Sequence, residues 1–171
     1  MKRTHKCNQV TSELIGQEIS VVGWIHRRRD HGGVIFFDLR DEDGIVQLVY
    51  NPESKDSFSI AETCRNEYVI FSRGVVRERP EGTANDNLVT GQVEIISSDL
   101  TILNSSLPTP FQLDEHASVG EETRLKYRFL DLRRTEMQEN LRLRSKVSTA
   151  LRNYLDKEDF IDYQTNFKKF N

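Results

Sequence analysis

Nineteen residues, Gly23 to Asp41 (GWIHRRRDHGGVIFFDLRD), constrain the fold of this chain more than any others. Three consecutive arginines lie between two runs rich in β-branched and aromatic residues, and a Gly32-Gly33 pair separates the runs. The pattern predicts a strand that ends in concentrated positive charge, a tight turn, and a returning strand Val34-Ile35-Phe36-Phe37. Cations then lie beside aromatic faces. That combination suits single-stranded nucleic acid, because phosphates need Arg or Lys and unstacked bases need flat apolar surfaces.

The surrounding sequence extends this hairpin into a complete small fold. Ile19, Val21, Gly23 and Ile25 alternate with Ser20, Val22, Trp24 and His26, the period of a strand buried mostly on one side. Val34 to Arg40 is a second strand, and Asp43-Gly44 turns into a third, Ile45 to Tyr50. Phe58, Ile60, Ala61 and Cys64 fall at roughly helical spacing within Ser57 to Asn66. Tyr68 to Arg79 and Gln92 to Ser98 read as the fourth and fifth strands, separated by a loop rich in Gly and Asn. This order predicts a mainly β fold, a five-stranded Greek-key OB barrel with a short helix, whose second and third strands carry the binding face. Phe36, Asp38, Gln47 and Val49 fall on those two strands, and Phe36 and Phe37 must point to opposite faces.

Leu107-Pro108-Thr109-Pro110-Phe111 ends the barrel, since two prolines two apart favour an extended path. The expected organisation is a barrel over 1–105, a linker over 106–120 and a helical segment over 121–171. In that segment Glu121 to Arg128 and Met137 to Leu155 read as helices. Leu143, Val147, Ala150, Leu151 and Tyr154 make one apolar stripe on the second helix, and so few residues call for a partner surface.

The formal net charge of −3 excludes a generally basic coat, so any RNA site must be local. Cys7 and Cys64 are far apart and belong to no closely spaced ligand pair, which argues against structural zinc and for two free thiols. No secretory signal follows the basic start and no run approaches a membrane span, so the expected location is the cytoplasm, with no membrane partner.

Several blocks carry a family resemblance: Arg3-Thr4-His5-Lys6-Cys7, Gly16-Gln17-Glu18, the stretch Gly23 to Asp41, Gly44-Ile45-Val46-Gln47, Arg79-Pro80-Glu81-Gly82-Thr83, and Glu122 to Arg134 (ETRLKYRFLDLRR). The chain resembles the N-terminal part of a bacterial-type aspartyl-tRNA synthetase, from its anticodon-binding barrel through the hinge to the start of the class II catalytic domain. The resemblance implies that the partner is tRNA with the aspartate anticodon. By position, Phe36 would stack on an anticodon base while Arg29 and Gln47 read the central uridine. Arg77 and Arg79 would face the third anticodon base, and Glu94 would accept from the first, a guanine-type base. Arg27 and Arg28 would contact phosphates or form ion pairs with Asp30 and Asp41. His31 and Gly82 occupy loop positions at which members that also charge asparagine tRNA carry these residues.

The family attaches aspartate to tRNA with ATP and magnesium and works as a homodimer. The two later motifs that hold ATP are absent from these 171 residues, so neither catalytic, cofactor-binding nor metal-binding residues are expected and the chain should not aminoacylate by itself. The alternative is a non-catalytic OB-fold RNA-binding module. Near the end Asp159 stands where the family has glycine and Asn166 where it has proline, and Phe167 to Asn171 no longer resembles it.

Overall fold

The computed structural model describes residues 2–113 and 119–163. It divides into two compact units, Met1–Thr109 and Pro110–Asn171. In the first unit five strands, β1 (Glu18–His31), β2 (Val34–Arg40), β3 (Ile45–Tyr50), β4 (Val69–Glu78) and β5 (Val93–Asn104), close into a barrel in the order β1-β2-β3-β5-β4. All neighbours are antiparallel except β3 and β5, which run parallel at Leu48 and Ile95. A helix α1 (Lys55–Thr63) joins β3 to β4 and packs against β5. This is the mainly β fold that the sequence pattern predicts. The first and fifth strands run several residues further than their apolar cores suggest.

Alternation explains the core. Ile19, Val21 and Ile25 of β1, Ile35, Phe37 and Leu39 of β2, and Val46, Leu48 and Tyr50 of β3 are all buried inside the barrel. Phe37 and Phe36 do point to opposite faces: Phe37 is fully buried with its ring 5.1 Å from that of Tyr50, whereas Phe36 stays partly exposed outside. The buried Tyr50 hydroxyl donates to Ser72 Oγ at 2.9 Å, so no polar atom is stranded there. Gly32 and Gly33 carry the β1–β2 turn with φ of 62° and 83°. Both are left-handed, the condition of the two-residue turn that matches strand twist.

One irregularity decides which way the arginines face. The β1–β2 register runs Trp24 opposite Arg40 and Ile25 opposite Leu39, then slips so that Arg27 lies opposite Asp38 and Arg29 opposite Phe36. A strict period of two would send Arg27 and Arg29 to the same side as buried Ile25. The extra residue, His26, reverses the alternation and turns both outward. The bulge is pinned by Arg40: its Nη1 lies 3.0 Å from His26 Nδ1, and its Nη2 donates to both Glu67 oxygens at 3.2 and 3.0 Å. Glu67 itself takes a φ of 66°, with its N–H on Ile25 O at 2.7 Å.

The second unit holds α2 (Glu121–Lys126), α3 (Arg128–Asp131) and α4 (Thr135–Lys157). A small cluster of Phe111, Leu113 and Leu130 forms its buried part. Fully buried Asp131 is gripped by three arginines: Arg124 Nε at 2.8 Å, Arg128 Nη1, and Arg134 Nη1 at 3.5 Å. The apolar stripe of α4 is exposed, with Leu143, Val147, Leu151 and Tyr154 each at least half open. Asp159 follows this helix with φ 60°, while Phe160 N–H reaches Leu155 O at 3.0 Å and Asp159 N–H reaches Asp156 O at 3.2 Å. These bonds close a left-handed helix end where glycine is ordinarily favoured, so Asp159 sits there under mild strain. Asn166 and the tail to Asn171 lie outside the described residues. Among the described residues no helix is long and apolar enough to cross a membrane.

Two outcomes are expected. Phe37→Ala should cost about 3–5 kcal/mol in urea unfolding, against about 1 kcal/mol for Phe36→Ala. The Arg124 hydrogen bond, reinforced by Arg128 and Arg134 against the opposing effect of burial, holds the Asp131 carboxyl below its ordinary value. That stabilisation is therefore complete above the unfolded carboxylate's pKa of about 3.9 and lost as pH falls through the lower folded value. Acid titration of α-helical circular dichroism checks it; Asp131→Asn should remove the pH-dependent part.

Candidate nucleic-acid interface

On the outer face of the barrel a hydrogen-bonded chain of side chains touches every strand. Arg29 Nη2, from β1, donates to Asp38 Oδ1 of β2 at 2.6 Å and to Gln47 Oε1 of β3 at 3.1 Å. Gln47 Nε2 donates to Glu94 Oε2 of β5 at 2.7 Å, and Arg77 Nε of β4 donates to Glu94 Oε1 at 2.8 Å. Register places these groups: Asp38 pairs with Gln47, Phe36 with Val49, and Arg77 with Glu94. Their neighbours on the other side of the sheet, Phe37, Leu48, Val76 and Ile95, are core residues, so this polar row lies on the outside.

Depth varies along the row. Glu94 is 1% exposed and Gln47 6%, while the side chains of Arg29 and Arg77 are 36% and 48% exposed. The two ends of the network therefore reach solvent and its middle is fixed. Glu94 accepts from Gln47 Nε2, which leaves Gln47 Oε1 directed at Arg29 and settles the orientation of the amide. Buried Arg79 lies alongside, its Nε donating to Val93 O at 3.0 Å. Burial lowers the Arg79 guanidinium from its ordinary value, opposed by the fields of Glu94 and Asp38.

Phe36 supplies the flat surface. The Arg29 guanidinium carbon lies 5.9 Å from its ring centroid, and the His31 ring meets it edge-on at 6.2 Å. Val49 beneath Phe36 is buried, so Phe36 is the aromatic platform at this point of the face. A base stacked there has a guanidinium and an amide within reach of its edge.

The other expected residues are distributed as follows. Arg27 is exposed on the same face, with no ion pair among the described residues. Arg28 lies on the opposite side, in register with Phe37; its N–H donates to Asn66 Oδ1 at 3.1 Å and its Nη2 is 3.6 Å from Asp30. The pairing of these arginines with Asp41 does not occur. Asp41 instead accepts from the N–H groups of Cys7, Asp43 and Gly44 and lies 3.5 Å from Arg3, which makes it the brace of the β2–β3 turn. His31 ends β1, and Gly82 sits with φ 78° in an exposed turn of the loop between β4 and β5. Sequence reasoning placed Asp38 on this face without a role and missed the His26 bulge altogether. Cross-strand pairing of an aspartate with two nearby arginines is the signal that could have marked Asp38.

Burial pushes the Cys7 thiol far up and that of Cys64 up to about 11, so both stay protonated at neutral pH. Among the described residues no group of three or more His, Cys, Asp or Glu could hold a metal ion.

Removing the Arg40 pin tests how the site is built. Arg40→Ala leaves the nearly buried Glu67 carboxylate unpaired and should cost about 3 kcal/mol in urea unfolding. A loss below about 0.5 kcal/mol, the level of an ordinary surface change, would show that the pin contributes nothing.

Comparison with known proteins agrees with this geometry. Residues 19–103 match the tRNA anticodon family described as an OB-fold nucleic acid binding domain, and residues 120–167 match tRNA synthetases class II (D, K and N). Among solved structures, the asparaginyl-tRNA synthetase from Pyrococcus horikoshii complexed with asparaginyl-adenylate is 24% identical with a TM-score of 0.77 over 92% of this chain and 35% of that one. The aspartyl-tRNA synthetase from Entamoeba histolytica is 18% identical with a TM-score of 0.85 over 97% of this chain and 39% of that one. An OBody, AM2EP06, bound to hen egg-white lysozyme is 28% identical with a TM-score of 0.54 over 62% of this chain and 97% of that one. The chain thus spans a little over a third of the length of the synthetases it resembles. With these two family matches in succession, its barrel is the anticodon-binding OB-fold of a class II aminoacyl-tRNA synthetase of the D, K and N group.

Proposed function

We propose that this chain is the anticodon-reading part of an aspartate–tRNA ligase and that the five-strand network reads the anticodon loop of aspartate tRNA. The observation that carries this is the coupling of a partly exposed Phe36 to an Arg29–Gln47 pair whose orientation is fixed by buried Glu94. Phe36 stacks on the central uridine. Arg29 donates to its carbonyl oxygens, and Gln47, with one amide hydrogen and one lone pair still free, complements the remaining edge.

Arg77 and Arg79 face the third anticodon base. Glu94 accepts from the guanine-type first base; its two oxygens already serve Gln47 and Arg77, so the base shares the carboxylate as half-exposed Arg77 swings aside. Arg27, exposed and unpaired among the described residues, is the phosphate contact on this face, whereas Arg28 is turned away from it. Attachment of aspartate with ATP and magnesium, and a homodimeric state, belong to this proposal for the longer enzyme; none of the residues described above is assigned to them.

His31 and Gly82 extend the proposal to asparagine tRNA. His31 touches Phe36 at the lip of the face, where it senses what lies beyond the stacked base. A preference of tenfold or more, about 1.4 kcal/mol, for the aspartate over the asparagine anticodon stem-loop would remove this extension.

The main test is titration of the chain with an anticodon stem-loop carrying GUC, beside one carrying GCC, at two salt concentrations. The expected result is at least tenfold tighter binding to GUC at both salts, with Phe36→Ala costing about 1–3 kcal/mol. Equal, salt-sensitive binding would reduce the face to a basic surface, and no binding would point to an assembly role.

A further inference from the structure

We propose that Asp38 is a specificity-determining residue of this face: its carboxylate anchors and neutralises Arg29, converting a phosphate-seeking cation into a reader of the base stacked on Phe36. The inference rests on the anticodon-reading function proposed above and assigns to Asp38 a role that none of the reading residues fulfils.

Geometry separates two arginines that are otherwise alike. Arg27 is the direct cross-strand partner of Asp38, yet the short contact of 2.6 Å goes to Arg29, two pairs further along and next on the same face. The same Arg29 nitrogen also serves Gln47 Oε1, so one corner of its guanidinium is held by acceptors from two strands. Its Nε is buried without a hydrogen-bond partner among the described residues and its Cζ lies 5.9 Å from the Phe36 ring centroid, so Nη1 is the nitrogen left to donate to a ligand. Asp38 is only 19% exposed, so the ion pair is partly shielded from water and from salt. Arg27 keeps its full charge for the backbone.

The chemistry follows from this arrangement. A free guanidinium beside an aromatic ring binds any phosphate that passes and reports little about sequence. Paired with Asp38, Arg29 has one nitrogen held by two acceptors, the Asp38 carboxylate and Gln47 Oε1, beside another left to donate to a base. That pattern complements a base edge on which a carbonyl adjoins an N–H, as in uracil. Cytosine places an unprotonated ring nitrogen where the acceptors require a donor, and meets the carboxylate with like polarity.

The test compares the parent chain with Asp38→Asn and Arg27→Ala, using GUC and GCC anticodon stem-loops over a range of salt. In D38N the preference for GUC should fall at least fivefold, binding to GCC should hold or tighten, and the dependence of log affinity on log salt should steepen by roughly one ion. R27A should weaken both loops equally and make the salt dependence shallower. If D38N does not give the parent far-UV spectrum, Asp38→Ser carries the same measurement. An unchanged preference and an unchanged salt dependence in D38N would overturn the role of Asp38, as would equal weakening of both loops. Absence of any GUC preference in the parent chain would overturn the anticodon-reading function, and this inference with it.

Discussion

The site depends on the β-bulge at His26. Without that one extra residue, the alternation that buries Ile19, Val21 and Ile25 would carry Arg27 and Arg29 to the core side of β1. Burying two guanidinium groups among Phe37, Leu39 and Tyr50 would be prohibitive. The bulge lets one continuous strand serve the core in its first half and the binding face in its second. The Arg40–Glu67 pair and the contact of Arg40 with His26 hold it in place. Strain at Glu67, a non-glycine residue with φ of 66°, accompanies this device, and the hydrogen bond from its N–H to Ile25 O and the ion pair offset it.

From the bulge outward, the face is an exercise in fixing polar groups before a ligand arrives. Glu94 is nearly inaccessible, and a carboxylate at that depth is tolerable only because Gln47 and Arg77 both donate to it. The consequence is directional: Gln47 cannot flip its amide without placing an oxygen against Glu94. Arg29 is restrained in turn, and its free donors lie beside Phe36. Such preorganisation reduces the ordering that binding would otherwise require, which matters for a surface proposed to contact only a few bases.

How much of this could be read in advance varied with the range of the interaction. Period-two alternation and the Gly32-Gly33 and Asp43-Gly44 turns are local, and they define the strands through Tyr50. The opposite faces of Phe36 and Phe37 follow from the pleat alone. The ends of β1 and β5 were less legible, because polar residues such as Arg28 and Asp99 continue a strand only when a neighbour supplies its ladder. The bulge was invisible, since no glycine or proline marks it and its pins, Arg40 and Glu67, are brought together by the closed sheet. Asp41 shows the same limit: its sequence position beside the arginines suggested an ion pair, but tertiary structure gives it the N–H groups of a turn. At Asp159 the backbone takes the left-handed conformation that glycine favours although the residue is an aspartate.

In the proposed anticodon-reading function Gln47 and Arg29 are neighbours of the central anticodon base, not merely supports of the barrel. Side-chain NMR of the chain labelled with nitrogen-15 reads those two groups directly, through the Gln47 amide and the Arg29 Nε–H. On that reading a GUC stem-loop shifts both signals at concentrations where a GCC stem-loop leaves them in place. Equal shifts with the two loops, or shifts confined to other arginines, would contradict it.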